Sequence, residues 1–374
     1  MKIAKHVERL YMKKPKVRSS VSSVVHDINT IEFFLTNTRR QVIMKVPNQN
    51  VINLILSLDG TRGIDEICQE YELDILAKKN MINMLKFLER KNVIIDADKE
   101  WYKEDYQRFR RVLNFIEDYV SVYDEKIHAW NNIRSSHVVI VGLGAVGTWV
   151  TYQLAQSGVK KFTLIDADIV EITNLHRQIG FTLDDVGENK IDIVQRNLHE
   201  IDSEISVEKV YKYINESGIE EFAKEASLVI NCADKPTVDQ TTLWIGESCM
   251  KYGVPHIIAG GYNLHLSLIG QTILPFQSAC VKCFETKLNE INKIDISNIR
   301  KLHIENRKIG SFGPLCAISA SIAAMEAIKV LSKVILPANI NRRGEFDIYS
   351  MNISYMDISH DDNCEWCGVN GKFC

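Results

Sequence analysis

Residues 137–166 restrict what this chain can fold into more than any other stretch. His137-Val-Val-Ile-Val141 is an apolar run of the length and type that fills a buried strand. Gly142-Leu-Gly144-Ala-Val-Gly147 follows at once, and a helical stretch then runs through Trp149, Leu154 and Ala155. Phe162-Thr-Leu-Ile165 reads as the next strand and ends in Asp166, 24 residues after the first glycine. Glycines at this spacing let backbone N–H groups approach a phosphate at a helix N-terminus. An acid at the end of the second strand can hold ribose hydroxyls. The stretch therefore predicts a nucleotide site in a Rossmann-like α/β domain with a mixed, mostly parallel sheet.

A glycine turn of this kind first suggests a dehydrogenase. The residues after the acid argue against that. Asp166-Ala-Asp168 leads into Asn174-Leu-His-Arg177-Gln178, and Gly187-Glu-Asn-Lys190 comes next. Hydride transfer needs a flat nicotinamide pocket, whereas an Asn, an Arg and a Lys suit a triphosphate and a leaving pyrophosphate. Leu228-Val-Ile-Asn-Cys232 is another apolar strand, followed by Ala233-Asp234. A carboxylate at a strand end near phosphates is placed to hold Mg²⁺.

Nine cysteines raise the question of metal or redox chemistry. Cys280-Val-Lys-Cys283 and Cys364-Glu-Trp-Cys367 form two CxxC pairs, which can close a tetrahedral S₄ site. Zinc is favoured over an iron–sulfur cluster, in a structural role that ties the C-terminal tail to the body. Cys68, Cys232, Cys249 and Cys316 read as small buried hydrophobes rather than nucleophiles. The net charge of −3 does not suit a nucleic-acid binder. No apolar run reaches the length of a membrane span, and the basic N-terminus lacks the apolar stretch of a signal peptide, so the expected location is cytoplasmic.

GLGAVG at Gly142, LIDAD at Leu164, NLHRQ at Asn174, VGENK at Val186, NCAD at Asn231 and PLCAISASIAAMEAIKVL at Pro314 occur in order. With these motifs, the chain from about residue 105 onward resembles the ThiF-type adenylating enzymes related to ubiquitin-activating enzymes. That resemblance implies ATP as substrate. Asp166 would bind ribose beside Gly142, Gly144, Gly147 and Asp168. Asn174, Arg177, Gln178 and Lys190 would surround the phosphates, Asp234 would hold Mg²⁺, and the four-cysteine site would carry structural zinc. It also implies an arginine reaching into the partner subunit's site of a homodimer. Arg108-Phe-Arg-Arg111 matches that motif, with Arg111 the choice and Arg108 the alternative.

Ahead of this region the chain divides into an N-terminal arm (1–19), a small domain (20–98) and a helical linker (99–136), with the adenylation domain at 137–374. In the small domain, Ile31–Leu35 and Gln41–Val46 read as strands and three helical patterns follow. This is the pattern of a winged helix-turn-helix-like α+β domain, and an exposed strand edge beside a helix can accept a peptide strand. The full layout resembles the peptide-modifying enzymes of ribosomally made antibiotics, such as the microcin C7 and pantocin A enzymes. By that resemblance the partner is a precursor peptide, its leader gripped in a groove lined by Ile43, Lys45 and Leu85. Length and layout favour the pantocin A type, in which a glutamate side chain is activated and a ring closes. The polar stretch 285–312 is either a lid over bound peptide or a surface crossover.

Overall fold

A computed structural model describes residues 12–99, 101, 103–120, 123–260, 262–263, 266–292 and 310–374. The lid candidate lies mostly outside the described residues, as do most of the N-terminal arm and Gly261. Contacts divide the chain into two compact units, Met1–Trp130 and Asn131–Cys374.

In the first unit, strand β1 (Pro15–Val17) is followed by β2 (Val21–Asp27), β3 (Thr30–Leu35) and β4 (Arg40–Lys45). Helices α1 (Gln49–Leu56), α2 (Ile64–Glu70) and α3 (Ile75–Arg90) come next, then β5 (Ile94–Asp96), which pairs antiparallel with β1. Strands β2, β3 and β4 form an antiparallel sheet with β3 in the centre. Alternation on β3 sends Ile31, Phe33 and Leu35 inward, where they pack with Ile52, Ile55, Ile67, Met81 and Leu88 of the helices. Side chains cap two of the helices: Asn48 accepts from Val51 N–H at 3.3 Å and Asp74 from Ala77 N–H at 2.7 Å.

Residues 99–136 contain α4 (Lys103–Glu117) and α5 (Tyr123–Ser135). Phe109, Leu113, Ile116 and Trp130 are buried, and the Trp130 indole donates to Asp105 at 3.0 Å. The contact division falls inside α5.

The second unit opens with β6 (His137–Val141), α6 (Ala145–Gln156), β7 (Lys161–Ile165), α7 (Lys190–Ile201) and β8 (Ser206–Val210). The short α8 (Glu220–Ala223), β9 (Leu228–Asn231), α9 (Val238–Tyr252) and β10 (His256–Ile258) follow. Then come β11 (Tyr262–Asn263), β12 (Leu266–Ile269), β13 (Thr272–Ile273), α10 (Val281–Asn292), α11 (Gly313–Ser332), β14 (Arg342–Asp347) and β15 (Asn352–Asp357). The main sheet has the order β13-β10-β9-β6-β7-β8. All its neighbours are parallel except the β10–β13 pair, so the sheet is mixed and mostly parallel, as the sequence implies. Strands β6 and β9 are buried along their whole length, which is why they read as continuous apolar runs. A second, antiparallel sheet has the order β11-β12-β14-β15.

One expectation needs correction. Helix α11 is long and apolar enough to cross a membrane, with a mean hydropathy of 1.6. Its surroundings are those of a core helix. Ser319 Oγ donates to Ala259 O at 2.6 Å, and Gln153 of α6 donates to Ser321 at 3.0 Å. Leu315, Ala320, Ala324, Ala327 and Leu331 are buried.

Candidate active site

In the main sheet, β7 and β8 lie on one side of β6, and β9 and β10 on the other. The strand order therefore reverses between β6 and β9, and the crevice at the carboxyl ends of these two strands is where an open α/β sheet binds ligands. The glycine turn leaves β6 here and the Cys232–Lys235 loop leaves β9. A Cβ added at Gly142, where φ is +90°, would lie 2.9 Å from the Ala233 backbone. One added at Gly147 would lie 1.9 Å from the Gly142 carbonyl oxygen. Only glycine permits these approaches. Gly144 differs, because an added Cβ there meets nothing within 4 Å. It is the N-cap of α6 and offers no side-chain acceptor, so the first N–H groups of that helix have no side-chain cap and are available to a phosphate.

Asp166 ends β7 and is 7% exposed. Its carboxylate accepts from Leu143 N–H at 2.5 Å and from Asp168 N–H at 2.7 Å, which fixes the turn to the strand end. Burial raises its pKa against the opposing pull of Lys190. The chain then makes an excursion that returns through a bridge between Ile169 and Asn189. This return puts Lys190, the first residue of α7, beside Asp168: its backbone N–H donates to Asp168 O at 3.1 Å and its Nζ to the carboxylate at 2.9 Å.

Two residues that the sequence reasoning missed complete this cluster. Lys235 Nζ donates to Asp168 Oδ1 at 2.7 Å, and the Tyr213 hydroxyl donates to the same oxygen at 2.5 Å. Burial alone would raise the Asp168 pKa, but the bonds from Lys235, Tyr213 and Lys190 outweigh it and hold the carboxyl well below its usual range. The signal for Lys235 was its place directly after Asp234 in a strand-end loop. Tyr213 lies just past β8 and carries no motif.

The Asn174–Gln178 turn is tightly made. Asn174 is buried and its side chain accepts from Glu171 N–H at 3.0 Å. Arg177 Nη1 donates to Thr173 O at 2.6 Å. Gln178 is 6% exposed, and its Oε1 has no hydrogen-bond partner among the described residues. A buried acceptor left in this way is a place for a donor from a ligand or from water. Asp234 is exposed and makes no ion pair with the described residues, which suits a carboxylate kept for a cation.

Arg111 is exposed on α4 of the first unit, whereas the other proposed nucleotide residues belong to the second. Ile43 and Lys45 are exposed on β4, an edge strand of its sheet. Leu85 is 3% exposed and packs in the core under that sheet. It does not line a surface groove, because the apolar stripe of α3 faces inward.

The sulfur atoms of Cys280, Cys283, Cys364 and Cys367 lie within 4.8 Å of one another, and all four residues are buried. Cys280 and Cys364 are 3.5 Å apart, as are Cys283 and Cys367. Four converging thiols with no fifth donor among the described residues fit a closed tetrahedral zinc site. Around them Trp366, Phe284, Met250 and Ile358 form an apolar shell that joins the tail to α9 and α10. Burial pushes the Cys232 thiol up to about 12 and raises those of Cys68 and Cys249.

The fold and site define a nucleotide-binding α/β protein with a separate four-cysteine cluster that could hold a metal. The profile of the ThiF family matches residues 121–367, and the chain belongs to that family. It is 26% identical over 245 residues to the sulfur carrier protein ThiS adenylyltransferase of Escherichia coli (strain K12), covering 66% of this chain and 91% of that one. Its structure is similar to that of E. coli MccB with succinimide, with a TM-score of 0.75 and 24% identity, over 95% of this chain and 99% of that one. PaaA matches with a TM-score of 0.70 and 18% identity, over 92% and 100%. At these identities the solved structures share the fold.

Proposed function

We propose that this protein uses ATP to adenylate a ribosomally made precursor peptide in the cytoplasm. The observation that carries the reading is the extent of the structural match. The ThiF profile begins at residue 121, but the likeness to MccB covers 95% of the chain and so takes in most of the first unit as well. Solved MccB structures include one with ATP and one of the microcin C7 biosynthetic enzyme with N-formylated MccA. The small domain (20–98), of winged-helix type, takes the leader along the β4 edge near Ile43 and Lys45.

In the reaction, an oxygen of a peptide carboxylate attacks the α-phosphorus of ATP. The bond to the bridging oxygen of the β-phosphate breaks, and pyrophosphate leaves with its electron pair. The carboxylate is ionised at neutral pH, so no general base is needed for this step. Asp166 holds the ribose. The N–H groups at the start of α6, with Arg177 and Lys190, neutralise the phosphates. Mg²⁺ held by Asp234 would add positive charge there. The partner subunit's Arg111 completes the site in a homodimer. We assign the activated group as a glutamate side chain, whose adenylate is then attacked by a nucleophile of the same peptide. That attack displaces AMP, releases the nucleophile's proton and closes a ring.

A second reading rests on the relatives named as sulfur carrier protein adenylyltransferases. The test is to incubate the purified protein with Mg²⁺, ATP and the short peptide encoded beside its gene, following AMP, pyrophosphate and peptide mass. AMP with peptide-dependent loss of water supports glutamate activation and cyclisation. A nucleotide retained on the peptide C-terminus moves the reading to the microcin C7 type. AMP only with a glycine-ended carrier moves it to sulfur transfer.

A further inference from the structure

Lys235 is 58% exposed, yet its ammonium is held at 2.7 Å on a carboxylate that already binds Lys190 at 2.9 Å. Asp168 therefore faces two ammonium groups, of which Lys190 is also opposed by the buried Asp166, which leaves Lys235 the one whose charge is shared only with Asp168 and the Tyr213 hydroxyl. As a device for stability this is weak, because an exposed ion pair gains little in water and restrains a long side chain. The Lys190–Asp168 pair is already made through the other carboxylate oxygen. Tyr213, half exposed, accompanies the second lysine: its hydroxyl shares Asp168 Oδ1, and Lys235 Nζ lies 5.0 Å over its ring. The backbone fixes where this cation stands. Lys235 follows Asp234 in the loop that packs against Gly142, at the carboxyl end of β9.

We infer that Lys235 is a second phosphate-binding lysine, parked on Asp168 beside Tyr213 until a triphosphate enters and its ammonium transfers to the β- or γ-phosphate oxygens. This rests on the adenylation reading. It goes beyond it in assigning a residue that none of the recognised motifs includes. Because the ammonium would touch only phosphates beyond the α-position, it would discriminate ATP from AMP. It would release pyrophosphate when that product departs and return to Asp168 after each turnover.

The test measures ATP and AMP affinities by calorimetry with excess Mg²⁺ for the wild type, Lys235→Met and Lys235→Arg. Loss of one charge-assisted contact should weaken ATP binding by about tenfold or more in Lys235→Met. AMP binding should hold, which also shows that the variant is folded, and Lys235→Arg should recover part of the ATP affinity. Unchanged ATP affinity in Lys235→Met, or equal weakening of ATP and AMP, overturns the assignment and leaves the adenylation reading standing. A wild type that does not bind ATP overturns both.

Discussion

The second unit holds two sites built on opposite principles. The four-cysteine cluster is closed and buried. Four sulfurs from segments 80 residues apart converge within 4.8 Å, with apolar side chains around them. Among the described residues no further ligand completes that arrangement, and a metal would do so. The nucleotide site is open, and its two strand-end carboxylates are already bonded within the protein. Asp166 caps the glycine turn, and Asp168 is bonded by two lysines and a tyrosine. A ligand there has to replace some contacts, such as Lys235 on Asp168, and to supply others, such as a donor for Gln178 Oε1. Binding at the cysteine site would therefore be chiefly a matter of stability, and binding at the nucleotide site partly a matter of exchange.

The sharpest way to break this contrast is at the metal. Cys364→Ser should release zinc and free the tail from α9 and α10. Loss of a structural metal belongs among the largest single-residue effects, more than about 4 kcal/mol. Denaturant unfolding and elemental analysis would check it, and a wild type without bound metal would sink the idea. Next in size is Gly147→Ala, whose methyl would stand 1.9 Å from the Gly142 oxygen. Overpacking against backbone should cost about 1–3 kcal/mol and disturb the turn. Gly144→Ala sharpens the comparison, because its methyl meets nothing within 4 Å and its φ of −77° suits alanine. Stability should fall by no more than about 1 kcal/mol, the cost of alanine at an N-cap. Nucleotide affinity should fall, because the methyl stands where a phosphate would approach. A Gly144→Ala protein binding ATP as tightly as wild type would remove the phosphate from that turn.

The same contrast explains what the sequence showed. Thiolate ligation demands one residue type at a fixed spacing, so the CxxC pairs were readable across 80 intervening residues. The glycine turn was readable because close backbone approach excludes every other residue at Gly142 and Gly147. Strands β3, β6, β7 and β9 bury side chains along one or both faces and left clear apolar patterns. Strand β8 is mostly exposed and β15 wholly so, and their sequences carry no such pattern. Lys235 and Tyr213 went unnoticed because ionic contacts can be made by many residue types, and only the fold brings these two to Asp168. Leu85 shows the converse error. Its place on α3 was legible, but which face of that helix meets the core was not.

The smallest effect expected is in the pH dependence of stability, where two carboxylates two residues apart should act with opposite signs. Asp168 has its pKa depressed in the folded state. Its contribution is therefore fully present above the unfolded value, near 3.8, and is lost as pH falls from there through the lower folded value. Asp166 has its pKa raised, mainly by burial. Its charge opposes folding at neutral pH, and that opposition disappears as pH falls through the folded value towards the unfolded one. Asp168→Asn should then destabilise the protein at pH 7, and by progressively less only as pH falls below about 3.8 towards the lower folded value. Solvent screening of the exposed Lys235 arm keeps the loss near about 1 kcal/mol. Asp166→Asn removes a buried charge at pH 7 but sets an amide NH₂ against one of the two N–H groups that the carboxylate accepts, so it should destabilise least at pH 7 and more as pH falls. Urea unfolding of the two variants and the wild type at pH 7 and at the lowest pH where all remain folded would measure both signs. If both variants shifted stability in the same direction with pH, the division of labour between the two carboxylates would fall. Asp168, as the parking place for Lys235, would then need a different electrostatic basis.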